Sequence, residues 1–282
     1  MRRREFLAGA AIAVGGCVGQ GAPVAANGRR EMNEPGYVMA SDGCRIAWRD
    51  AGPKDGPAIF FCTMGTAAMS VWAPVTEPLS ATYRVITHDR RGNGDSDPGG
   101  PATHTFETFR SDALAVMDGA GVDRATICGM AFGARVALRL ALDAPGRTSG
   151  LILFDATGGP PAPESVRRAG SEVAARLRAE AGLATPVRDP AWFARRHPAG
   201  DGLNGQALRG QPDWTPGLDA LRTPTVIATG EQDPNLEGSR RLAGEIQGAR
   251  LETMPMTGHA SILDRPDLVL AVIRTFMGRD AG

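Results

Sequence analysis

The sequence carries no net charge, since thirty-one basic side chains balance thirty-one acidic ones. That excludes the long-range field with which proteins gather nucleic acid or anionic membrane, and leaves a small-molecule partner as the expectation. The sequence also lacks a phosphate loop, a dinucleotide fingerprint and a cysteine or histidine cluster at metal-ligand spacing, so no cofactor or metal is implied. Its apolar runs are too short for a transmembrane span, and no internal repeat is present. Aromatic residues are scarce at 5%, beside 37 Gly and 21 Pro. Such a composition would suit disorder if these residues formed tracts, but they stand between periodic apolar segments and punctuate a fold. A chain of 282 residues that is 42% apolar can bury one substantial core.

The first thirty residues read as an address. Arg2-Arg3-Arg4-Glu5-Phe6-Leu7 leads into an apolar run from Leu7 to Val14, then small residues and Val24-Ala25-Ala26. The segment resembles a twin-arginine export signal with its cleavage site, which implies a periplasmic or extracellular protein. Cys17, after Val14-Gly15-Gly16, reads either as a lipoprotein attachment site or as a small residue of a discarded peptide. Three cysteines remain, Cys44, Cys62 and Cys128. An odd number without ligand spacing predicts free thiols.

Past the address, short apolar runs alternate with helical periodicity. Tyr37–Ala40 and Cys44–Arg49 flank the turn Ser41-Asp42-Gly43 and predict an edge hairpin. Ala58–Cys62, Tyr83–Thr87 and Ala125–Cys128 predict strands buried on both faces, and Leu151–Phe154, Thr225–Ala228 and Arg250–Met254 predict three more strands. Helices are expected after Thr103, through Val136–Leu142, and over Gly238–Gln247 and Ile262–Met277. The alternation predicts an α/β fold with a mostly parallel sheet and helices on both faces. Residues 159–222 interrupt it with a Pro-rich entry and an Arg- and Ala-rich helix over Glu164–Ala181. They read as a cap inserted into a core formed by 31–158 and 223–282. Ligands in open α/β sheets bind beyond the carboxyl ends of the strands, where this insertion would form a roof.

Chemistry-bearing residues cluster at those strand ends. Gly129-Met130-Ala131-Phe132-Gly133 joins a strand to a helix with a glycine on each side, as a strained turn requires. Asp89-Arg90-Arg91-Gly92-Asn93-Gly94-Asp95-Ser96 follows the fourth strand, Asp233 follows the next-to-last, and Gly258-His259 follows the last. In this order, turn then acid then base, the chain resembles the α/β-hydrolase superfamily over residues 35 to 278. The resemblance implies that Ala131 stands where the Gly-x-Ser-x-Gly nucleophile would be, with Asp233 as acid and His259 as base. Asp155, after another strand, ranks second as the acid. Phe61-Cys62-Thr63-Met64-Gly65-Thr66, followed by Trp72 and Pro74, is most similar to the enol-lactonase and small esterase branch. By that resemblance the backbone N–H groups of Met64 and Phe132 would form an oxyanion hole. His88, His104 and His197 read as structural or solvated. Trp192, Phe193 and Trp214 read as pocket walls or cap core, and Arg135 and Arg139 as surface residues.

The missing hydroxyl leaves three readings open, because a triad without its serine cannot form an acyl-enzyme. Asp233 and His259 can act as a general acid/base on a small ester, lactone or carbonyl substrate, with water attacking or a proton being moved. Alternatively the fold is a non-catalytic ligand-binding protein. The third reading is a serine hydrolase inactivated by a Ser-to-Ala substitution.

Overall fold

The computed structural model describes residues 34–194, 200–210 and 216–279. The export signal, Cys17, His197 and Trp214 lie outside the described residues. The chain begins with the strands β1 (Gly36–Met39), β2 (Arg45–Ala51) and β3 (Ala58–Cys62), then α1 (Ala73–Leu79), β4 (Arg84–His88) and α2 (Phe106–Gly119). It continues through β5 (Ala125–Met130), α3 (Phe132–Asp143), β6 (Thr148–Phe154), α4 (Glu164–Glu180), α5 (Ala191–Ala194) and α6 (Gly200–Arg209). It closes with β7 (Thr225–Gly230), α7 (Leu236–Glu245), β8 (Arg250–Met254) and α8 (Pro266–Arg279).

The described strands form one eight-stranded sheet in the order β1-β2-β4-β3-β5-β6-β7-β8. The β1/β2 and β2/β4 pairs are antiparallel and the remaining pairs parallel. Alternation along each strand divides the core into two layers, because successive side chains point to opposite faces. On one face Phe60, Ile127, Leu151 and Ile227 pack with Phe109 and Val116 of α2, Leu140 of α3 and Leu242 of α7. On the other, Phe61, Cys128, Ile152 and Val226 pack with Val75 and Leu79 of α1 and Val269 and Ile273 of α8. No helix among the described residues is long and apolar enough to cross a membrane.

Local chemistry sets the element ends. Thr105 caps α2 by accepting the Thr108 N–H at 3.2 Å, two residues later than the expected start. The final helix begins at Pro266 rather than Ile262, with a short 3-10 turn over Ser261–Leu263 before it. Proline disfavours helical geometry in the residue before it and is well placed in the first turn of a helix, so Arg265-Pro266 divides the periodic run. The turn after β4 is a scaffold. Asp89 accepts from the backbone N–H groups of Met69 (2.6 Å) and Asp95 (2.9 Å). A Cβ on Gly94 would lie 2.0 Å from an Asp89 carboxylate oxygen. Arg91 is fully buried and bonds both Asp112 oxygens at 2.7 Å and Asp42 at 2.7 Å.

Arg135 corrects the surface expectation. It is buried in the first turn of α3 and donates to the Gly159 carbonyl at 2.6 Å. Helical spacing assumes one solvent face, whereas the chain leaving β6 covers this turn. Arg139, more exposed, pairs with Asp143 at 2.7 Å.

Candidate active site

The ends of β3, β5, β6, β7 and β8 lie side by side, and each delivers one of the residues expected from the sequence. Ala131 follows β5 with φ 52° and ψ −109°, a conformation that a residue with a Cβ rarely adopts. Such a backbone costs roughly 1–3 kcal/mol and persists only where its surroundings over-determine it. They do so here. The Ala131 N–H donates to the Phe154 carbonyl at 2.9 Å. A Cβ on Gly129 would lie 2.5 Å from the Gly133 carbonyl oxygen, and one on Gly133 would lie 2.1 Å from that of Cys62. The sharp strand-to-helix turn is therefore imposed by the packing of its glycines, and it holds its shape with a methyl side chain at 131.

Asp233 and His259 meet at the ends of β7 and β8. His259 Nδ1 lies 2.9 Å from Asp233 Oδ2, and Asp233 Oδ1 accepts the Asn235 N–H at 2.9 Å. Asn235 Nδ2 also faces His259 Nδ1, at 3.3 Å, while its amide oxygen accepts from Ala162 N–H. With a carboxylate at the shorter distance, Nδ1 carries the proton and donates it, which leaves Nε2 as the acceptor. The Asp233 side chain is fully buried, whereas 18% of the His259 side chain is exposed, so the pair is anchored at one end and open at the other.

The loops that carry this pair are braced by α4. A Cβ on Gly258 would meet Ser171 at 2.6 Å, and one on Gly170 would meet the Gln232 carbonyl oxygen at 2.1 Å. Asp264, buried, accepts the Gly258 N–H at 2.9 Å, Arg178 at 3.0 Å and Arg188 at 3.1 Å. Arg178 also donates to the Met256 carbonyl at 2.6 Å.

Asp155, at the end of β6, belongs to the same cluster. Its φ is 52°, its Oδ2 accepts the Ser261 N–H at 2.8 Å, and its Oδ1 is buried without a partner. Burial first, then the neighbouring charge of Asp233, push its carboxyl up to about 7, against the opposing pull of His259. Of the two acids considered for His259, the one in hydrogen-bond contact is Asp233.

Met64 and Phe132 are adjacent because β3 and β5 run in parallel with Cys62 opposite Gly129. A Cβ on Gly65 would lie 3.3 Å from Phe132 Cβ. Among the described residues neither the Met64 nor the Phe132 backbone N–H has a protein acceptor. Trp192 and Phe193 of α5 pack into the apolar cluster that contains Met64 and Ala131, and the Ala68 N–H donates to the Trp192 carbonyl at 2.8 Å. His88 is buried against Phe60, with ring centroids 4.9 Å apart, and burial pushes it down to about 4, which keeps it neutral. His104 bonds the Pro98 carbonyl at 2.8 Å. Both are structural.

Sequence reasoning missed Arg90, Asn204, Arg178 and Asp264. Arg90 is buried, with Nη1 2.7 Å from Asn204 Oδ1 and Nη2 2.8 Å from the Gly65 carbonyl. No motif marks an arginine as buried, and the partners are 25 and 114 residues distant in sequence.

Comparison with known proteins bears on the family and the fold. The profile of a family described as "Alpha/beta hydrolase family" matches residues 56–272. The RutD protein of Caulobacter sp. (strain K31), whose name describes it as a carbamate hydrolase, is 26% identical over 234 residues. That match covers 74% of this chain and 86% of the relative. The 3-oxoadipate enol-lactonase 1 of Acinetobacter baylyi is 24% identical over 274 residues, covering 87% of this chain and 98% of the relative. The crystal structure of the enol-lactonase from Burkholderia xenovorans LB400 superposes with a TM-score of 0.70 at 23% identity, covering 86% of this chain and all of that one.

Proposed function

The chain belongs to the alpha/beta hydrolase family, and from that premise we propose that it acts on a small ester, lactone or carbonyl substrate through His259 and Asp233 without a serine nucleophile. The observation that carries the reading is the 2.9 Å contact between His259 Nδ1 and Asp233 Oδ2, beside a turn at Ala131 that keeps its strained conformation. A binding protein released from catalysis would have no need of a base oriented by a buried acid next to such a turn.

In the hydrolytic form of the reaction, His259 Nε2 takes a proton from a water held above Ala131 as the water oxygen bonds to the substrate carbonyl carbon. The carbonyl oxygen becomes an oxyanion held by the Met64 and Phe132 N–H groups. Collapse breaks the carbon–oxygen bond to the leaving group, which receives the proton from the imidazolium. Asp233 stabilises that imidazolium and keeps its Nδ1 proton in place. If the substrate is an enolisable carbonyl compound, the same base removes a carbon-bound proton and the same hole holds the enolate. The inserted segment 159–222 is the roof of this site, with Trp192 and Phe193 on its inner side. The N-terminal segment directs the protein out of the cytoplasm, and this part of the proposal is tested by its retention in cell extracts when Arg2, Arg3 and Arg4 are replaced by Lys.

The deciding experiment is product release from p-nitrophenyl esters and small lactones by the purified protein, Ala131→Ser and His259→Ala. Turnover by the native protein that His259→Ala reduces by about two to four orders of magnitude supports the serine-free mechanism. Activity in Ala131→Ser alone would instead favour a non-catalytic binding protein, a reading whose one supporting observation is the methyl group at 131.

A further inference from the structure

Arg90 is a buried cation without a counter-ion among the described residues. Its residue is 3% exposed, and no carboxylate among the described residues pairs with it. Asp112, whose charge reaches Arg90, has both oxygens committed to Arg91 at 2.7 Å. The groups around the Arg90 guanidinium are neutral: Asn204 Oδ1 at 2.7 Å, the Gly65 carbonyl at 2.8 Å and, with its amide oriented to satisfy both ends, Asn93 oxygen at 2.7 Å. Nε is buried without a partner. The guanidinium lies 4.5 Å from the centre of the Phe132 ring and 5.0 Å from that of Phe109. Burial accordingly pushes Arg90 down to about 9, while the Asp112 charge pulls the other way. Holding an unpaired charge out of water is expensive, and the ring faces and neutral acceptors recover only part of the cost.

Its position suggests what recovers the rest. Arg90 touches both segments that carry the oxyanion-hole donors, Met64-Gly65 through the Gly65 carbonyl and the start of α3 through the Phe132 ring. The Gly65 carbonyl is held a second time, by Asn204 Nδ2 of α6 at 2.6 Å. Gly65 lacks a Cβ where Phe132 Cβ would stand 3.3 Å away, so its backbone is locally soft. Two donors on its carbonyl remove that freedom and hold the Gly65-Thr66 peptide, which anchors the C-terminal side of the turn that carries the Met64 N–H.

We infer that Arg90, latched by Asn204, is a positioning residue that fixes the Met64-Gly65 loop and sets a positive charge behind it, so that the site favours ligands bearing an oxyanion over their neutral counterparts. The charge acts through the loop and the Phe132 ring rather than by contact with the ligand. This deepens the proposed function, because it rests on Met64 and Phe132 being the oxyanion donors. It also makes the inserted segment part of the hole, since Asn204 comes from α6.

The test compares binding of monomethyl phenylphosphonate, a tetrahedral anion, with its neutral dimethyl ester by titration calorimetry. It uses the full chain, Arg90→Met, Arg90→Lys, Asn204→Ala and His259→Ala, with circular dichroism establishing that each is folded. The native protein is expected to prefer the anion, and Arg90→Met to lower that preference by about tenfold or more while affinity for the neutral ester holds. Arg90→Lys keeps the charge but loses the fork, so it retains part of the preference. Asn204→Ala removes both the bond to Arg90 and the bond to the Gly65 carbonyl and is expected to weaken the anion by about fivefold or more. A merely structural role would move both ligands together. An unchanged preference in folded Arg90→Met overturns the inference, as does a native protein that binds both ligands alike or neither. Should Arg90→Met not fold, an unaltered anion affinity in Asn204→Ala overturns it equally. His259→Ala is expected to keep the preference, so loss of turnover there and loss of preference at Arg90 report separately on the two proposals.

Discussion

Two carboxylates approach the His259 loop from neighbouring strand ends, and they meet opposite fates. Asp233 is satisfied by His259 and Asn235, whereas Asp155 has one oxygen on the Ser261 amide and the other buried without a partner. Burial, and then the Asp233 charge, raise Asp155 from the ordinary 3.8 to about 7. Between those values the folded chain holds a proton that the unfolded chain has released, so stability falls as pH rises through this window. Below it both states are protonated and nothing is lost, and above it the full penalty of an ionised, buried carboxylate is present. Asp155→Asn keeps an acceptor for Ser261 and removes the titration. Thermal melts from pH 5 to 8 are expected to show the variant gaining on the native protein as pH rises; a constant gap would mean that Asp155 stays ionised throughout. At this scale the sequence was informative about Ala131, Asp233 and His259, whose order along the chain is itself a pattern. It was silent on Asp155's missing partner and misleading for Arg135, because burial of a polar side chain depends on segments far away in sequence.

Elements were legible where their causes are local. The run Ala58–Cys62 forms a strand with the expected ends, since an apolar, β-branched or aromatic run bounded by turn residues has few alternatives in a parallel sheet, and Arg250–Met254, more polar, forms the half-exposed edge strand. The start of α8 was not, although Pro266 stood in the sequence, because apolar spacing continued across it. The turn between β5 and α3 depends on both kinds of cause: its glycines are visible in sequence, and the reason for them is the carbonyl oxygens of Cys62 and Gly133. Gly133→Ala would place a Cβ 2.1 Å from backbone, not from a movable side-chain tip. We expect it to cost about 3 kcal/mol or more in urea unfolding, at the upper end of overpacking. Gly146→Ala, with nothing within 4 Å of its Cβ, should change stability by less than about 0.5 kcal/mol. Equal effects would mean that the turn relaxes and that its shape is not imposed by packing.

Over the described molecule, the sheet is covered on both faces, with Cys62 and Cys128 sealed within it and Cys44 buried just before β2. Cys44, Cys62 and Cys128 are free and buried, and burial raises their thiols, Cys44 to about 11 and the other two further. A thiol must ionise to react. In the native protein these three are expected to be inert to Ellman's reagent over minutes and to react fully in guanidinium; fast reaction of the native thiols would show that the sheet opens. The α/β alternation, the free cysteines and the order of Ala131, Asp233 and His259 along the chain were all determined by the sequence alone, because periodicity, composition and chain order are properties of a string. The tertiary structure alone decided which acid reaches His259, that α4 braces the Asp233 and His259 loops, and that an arginine with no carboxylate partner among the described residues stands behind the Met64-Gly65 loop. Each of these depends on a distance between residues tens of positions apart, and such distances are fixed by the register of the strands and by helices packed across their ends.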